Sequence, residues 1–131
     1  MRSDRNTAVK FFDRPDRFRR ELEVYQVLSD KEIYQIAGHN VPEMYEWDEA
    51  ALAIEMTIVE RPFILDFAGA KYLDEVPDFE QHVIDEHVEH IQELFGEQWA
   101  DALHVADMFC QATGFTLLDI HPGNIAFADS I

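Results

Sequence analysis

The chain has 131 residues, 47% of them hydrophobic and 12% aromatic, which suits one domain with a buried core and excludes wholesale disorder. A formal charge of −17 argues against general binding to a phosphate backbone. The apolar stretches at 50–54 and 63–70 are cut by Glu55 and Asp66, far short of the ~20 residues a membrane span needs.

No basic-plus-apolar leader opens the sequence, and the single cysteine, Cys110, has no partner for an internal disulfide. A cytoplasmic location is therefore expected, with neither membrane nor nucleic acid as partner. The neighbours of Cys110, which are Ala106, Phe109 and Ala112, suggest a buried thiol. Charge is unevenly spread: seven of the ten Lys and Arg residues lie within positions 1–20, and only Lys31, Arg61 and Lys71 follow. That pattern reads as an acidic body with one solvated basic helix face, at the end suited to a phosphate or an acidic partner.

In chain order, Ala8-Val9-Lys10-Phe11-Phe12 is β-branched and aromatic and predicts a strand, stopped by Asp13-Arg14-Pro15. With Asp13 as N-cap and Pro15 in the first turn, a helix is expected over 15–28, since Phe18, Leu22, Tyr25 and Leu28 share one face. Ser29-Asp30 predicts a second, shorter helix ending near Gly38. A hairpin follows, with strands over 43–47 and 50–59 around Asp48-Glu49. Residues 63–70 are expected to be a short helix. A long amphipathic helix is expected over about 78–95, with Phe79, Val83, Val88, Ile91 and Phe95 inward. Another is expected over about 97–113, burying Trp99, Leu103, Ala106 and Cys110 and closing on Gly114. Short strands at 115–118 and 125–127 then flank a polar loop. The expected fold class is α+β, a small antiparallel sheet with one helix followed by a helical half with a short hairpin.

The loop Leu118-Asp119-Ile120-His121-Pro122-Gly123-Asn124-Ile125 sets a carboxylate and an amide five residues apart between two strands. One reading is a turn in which Asp119 and Asn124 bond the local backbone. The other is chemical, because this spacing resembles the catalytic loop of protein kinases, and the internal His-Pro-Gly resembles aminoglycoside-phosphotransferase-type kinases. Ala8-Val9-Lys10 resembles the strand of that family whose Lys grips phosphates, and Glu21 stands on the next helix where its partner belongs. His39-Asn40-Val41 resembles the loop that leaves that helix, and residues 53–60 resemble the strand running into the adenine-binding hinge.

The resemblance implies a single truncated kinase-like domain over 1–131, with 1–60 N-lobe-like and 61–131 a partial C-lobe. It implies ATP and Mg as cofactors, Asp119 as catalytic base, Lys10, Glu21 and Glu60 as nucleotide-binding residues, and Asn124 with Asp129 as metal ligands. Departures from the pattern are specific. No Gly-rich loop precedes Lys10, Leu117 stands where a His is usual, and no Asp-Phe-Gly follows Asn124. The expected function is thus a nucleotide-binding or regulatory module with impaired catalysis. The alternatives are an active small Mg-ATP phosphotransferase and an interaction protein that binds no nucleotide. A truncated lobe is also expected to leave Phe115, Phe127 or Trp99 for a homodimer or a partner protein to cover. His82, His87 and His90 lie among carboxylates without the spacing of a recognised zinc motif and read as a solvated face.

Overall fold

The computed structural model describes residues 6–72, 80–117, 120 and 122–127. Strand β1 (Thr7–Phe11) is followed by helix α1 (Pro15–Asp30). Pro15 opens the helix, where a missing N–H costs nothing, but the N-cap is Arg14 rather than the expected Asp13, and no side chain caps it. Arg14 instead pairs with Asp16 at 2.8 Å, and Asp16 lies in the first turn, where a negative charge suits the helix dipole. The inward face of α1 carries Phe18, Glu21, Val24, Tyr25 and Leu28.

The predicted short helix over 29–38 does not form. Helix α1 runs to Asp30, and the chain then makes a tight hairpin, β2 (Gln35–Ile36) to β3 (His39–Asn40). Its two turn residues, Ala37 and Gly38, both have positive φ, 51° and 80°, the backbone that a two-residue hairpin loop requires. Strands β4 (Met44–Asp48) and β5 (Ala53–Thr57) follow. The second is shorter than expected because residues 49–52 are spent in the turn, with Leu52 at φ 50°. Strand β5 lies in the centre of a three-stranded antiparallel sheet, β1-β5-β4, in which Lys10 stands opposite Ile54 and Ala8 opposite Met56. Helix α1 packs on the face bearing these residues, and the Tyr25 hydroxyl donates to Met56 Sδ at 3.2 Å.

Residues 63–70 are not helical either. They contain β6 (Phe63–Ile64) and lead to β7 (Lys71–Tyr72). Helix α2 (Gln81–Phe95), one 3₁₀ turn and α3 (Trp99–Thr113) complete the helical half, and Gly114 ends α3 at φ 83° as expected. The last strands, β8 (Phe115–Thr116) and β9 (Ile125–Ala126), flank the polar loop without pairing with one another, so among the described residues the expected short hairpin is absent. Strand β8 pairs with β7, while β9 pairs with β6, which in turn lies parallel to β3. The loop between them is therefore anchored to two separate sheets.

The helices expose different faces from those expected. Helix α3 buries Ala102, Val105, Phe109 and Thr113 rather than Leu103 and Cys110, a rotation of one residue or about 100°. The cause is Phe109, whose ring stacks on Phe67 at 5.3 Å in the centre of the core. Cys110 is half-buried, with Sγ 3.8 Å from Thr116 Oγ1. On α2 only Ile91 and Phe95 are buried, Val83 and Val88 are exposed, and Phe79 lies outside the described residues. Phe115 is fully buried within the chain itself, and Trp99 and Phe127 are half-buried, so these aromatics do not form the uncovered surface that was expected. Among the described residues no helix is long and apolar enough to cross a membrane.

Candidate functional site

The one-residue alternation of β1 turns Lys10 toward α1, and Glu21 on the inward face of that helix meets it. Lys10 Nζ lies 3.1 Å from Glu21 Oε1 and 2.9 Å from Asp66 Oδ1. Glu21 is wholly buried, and its Oε1 also accepts the Phe67 N–H at 2.6 Å. These two donors compensate most of the cost of holding a carboxylate in a core. Among the described residues its Oε2 has no hydrogen-bond partner.

The balance of burial against charge sets the titration of each group. Burial pushes the Glu21 carboxyl up, and the Lys10 ammonium and Phe67 N–H pull it back only in part, so it stays above the usual glutamate range. For Lys10 burial acts downward, but the charges of Glu21 and Asp66 outweigh it and leave the ammonium harder to deprotonate. Burial, reinforced by the same two carboxylates, holds the Tyr25 phenol well above its ordinary value.

Asp66 is the site residue that sequence reasoning missed. It sits at φ 66°, a left-handed backbone that Asp tolerates better than most residues. Phe67 fixes it there, with its N–H on Glu21, its ring stacked on Phe109 and its edge against Tyr25. The signal in the sequence was one acidic residue interrupting an apolar run at 63–70, a place where a carboxylate needs a partner.

Beside the Lys10 end opens a recess of about 170 Å³ walled by Ala8, Met56, Ile58, Val59 and Leu65. It is largely apolar and small enough for a planar ring. The backbones of Ile58 and Val59 make no hydrogen bonds among the described residues, so their edge is available to a ligand. Glu60 does not line this recess. It is exposed, and its carbonyl accepts the Asn40 amide at 3.0 Å.

Asn124 is buried, and its carbonyl accepts the Leu65 N–H at 2.9 Å. The polar loop is thereby tied to the segment that presents Asp66. Asp119 and Asp129, the expected base and second metal ligand, lie outside the described residues. His39 is buried, with Nδ1 3.3 Å from the Ala37 carbonyl and its ring edge-on to Phe127. Among the described residues no cluster of three or more His, Cys, Asp or Glu side chains is placed to hold a metal ion. The carboxylates beside the recess are Glu21 and Asp66.

No family model, curated protein or solved structure matches the chain.

Proposed function

We propose that the chain is a nucleotide-binding module of kinase-like architecture with little or no phosphotransfer of its own. The observation that carries the reading is Lys10 held on buried Glu21 at 3.1 Å, at the end of an apolar recess whose far wall offers the free backbone of Ile58 and Val59. A nucleotide whose base entered this recess would bring its phosphates toward the Lys10 ammonium. The order of the parts also supports a kinase-like lobe: Lys on a strand, Glu on the next helix, an antiparallel hairpin, then the wall of the recess. ATP is the proposed ligand. Mg²⁺ requires oxygen donors; Asp66 lines the recess, and Asn124 belongs to the loop whose backbone accepts the Leu65 N–H beside it.

One observation favours the competing reading of a kinase-fold interaction protein. Lys10 already faces two carboxylates, so the site is net negative before any phosphate arrives, and the triad is able to serve the core alone.

Thermal melting with millimolar Mg-ATP separates the two. Ligand at 100 times its Kd adds ~2.7 kcal/mol of stability, roughly 8–10 °C in Tm for a domain of this size. The module predicts that shift, its loss in Lys10→Met, and no ADP release. Absence of any shift in folded, monodisperse protein supports the interaction reading. ADP production that disappears in Asp119→Asn identifies an active phosphotransferase instead.

A further inference from the structure

The stripe Ile84, Val88, Ile91 and Phe95 follows spacings of four, three and four along α2, so at about 100° per residue it forms one continuous seam. Its C-terminal half is used by the protein's own core, with Ile91 and Phe95 only 5% and 7% exposed. Its N-terminal half is open. Ile84 and Val88 are each 39% exposed, and Val83 and Leu94, which widen the same arc to about 140° around His87, are 41% and 49% exposed. Every residue from Gln81 to His90 is exposed, so nearly three turns of helix stand free with their apolar side uncovered. Four uncovered aliphatic side chains on one helix arc mark an interaction surface rather than a scatter of surface residues.

Charge decides the occupant. The remaining circumference of α2 carries Asp85, Glu86, Glu89 and Glu93 beside His82 and His90, and no Lys or Arg occurs anywhere from residue 72 to 131. A second copy is a poor fit. Pairing α2 with α2 sets these carboxylates against one another, and helix α1, which carries four carboxylates against three Arg, has its apolar side buried in its own core. We infer that the free half of α2 is a docking surface for a basic amphipathic helix of another polypeptide, whose apolar residues at three- and four-residue spacing continue the seam while its Lys or Arg residues flank the acidic edges.

The test uses a labelled synthetic peptide of about 20 residues, beyond the ~12–15 that an isolated helix needs, with Leu at the a and d positions of each heptad and Lys elsewhere. Its binding to the full chain is followed by fluorescence anisotropy. The expected result is saturable binding that weakens at least about tenfold, or ~1.4 kcal/mol, for a scrambled peptide of the same composition and for the double variant Ile84→Asp with Val88→Asp. Phe11→Ser, at an exposed apolar site elsewhere, is expected to leave binding unchanged. The milder pair Ile84→Ser with Val88→Ser serves if the Asp variant fails to fold. Equal binding of the scrambled peptide reduces the effect to bulk charge and overturns the inference, as does equal binding of a Leu-Glu peptide or full binding by the folded variant. Sedimentation showing a dimer that Ile84→Asp splits also overturns it, by placing a second copy on the face.

Discussion

At the scale of single residues the molecule turns on unequal partners around one ammonium. Glu21 is fully buried while Lys10 is a third exposed and Asp66 is 46% exposed, so removing each has a different cost. Asp66→Asn breaks an exposed pair and is expected to cost no more than about 0.2–1 kcal/mol. Lys10→Met leaves a buried carboxylate with only the Phe67 N–H. Solvent access at Lys10 discounts the ~3–5 kcal/mol of a fully buried broken pair to about 1–3 kcal/mol. The pH dependence follows from the direction of the Glu21 shift. A carboxyl raised in the folded state binds its proton more tightly there than in the unfolded chain, so its favourable contribution is complete below the ordinary glutamate range and fades as pH rises through the folded value. Without Lys10 that folded value rises further. Urea denaturation of Lys10→Met should therefore show a larger loss of stability at pH 8 than at pH 5, and an equal loss at both would mean that Glu21 is not charged against Lys10.

At the scale of elements, local signals succeeded where a period was long enough to be read. Strand β1, helix α1 and the β4–β5 hairpin were legible from β-branched content and from three- and four-residue apolar spacing, and the Lys10–Glu21 meeting follows once both elements are placed. Two-residue strands carry no period, so β2, β3, β6 and β7 were hidden, and two of them, β2 and β6, were mistaken for parts of helices. The rotation of α3 was hidden for another reason: Leu103 and Val105 are both apolar, and only the distant Phe67 ring selects between the faces. Asp66 stood out only as a carboxylate in an apolar run, and its partner was not legible because Lys10 lies 56 positions away. Helix ends were more readable. Gly114 holds φ 83° with open space where a Cβ would stand, so Gly114→Ala carries a backbone cost without a steric one. It should lower stability by about 1–2 kcal/mol in chemical denaturation. A neutral result would mean that the end of α3 relaxes to another backbone.

For the molecule as a whole, a net charge of −17 spread over a small domain favours expansion, because the carboxylates repel one another more strongly when folded than when separated. Raising salt from ~0.01 M to ~0.15 M shortens the Debye length from ~30 Å to ~8 Å, so Tm should rise across that range; a fall would show that attractive pairs outweigh the general repulsion. The strand pairing adds a consequence for the order of assembly. Phe63 and Ile64 draw their neighbours from Asn40 on one side and from Ile125 and Ala126 on the other, so the strand leading to Asp66 cannot be completed until residues 125 and 126 have left the ribosome. At ~5–20 residues per second, the sheet of β1, β4 and β5 has several seconds to form before its neighbour closes. During that interval Lys10 and Glu21 can already meet, while the Leu65 bond to Asn124 must wait. The side of the recess that carries Leu65 and Asp66 would thus be finished last.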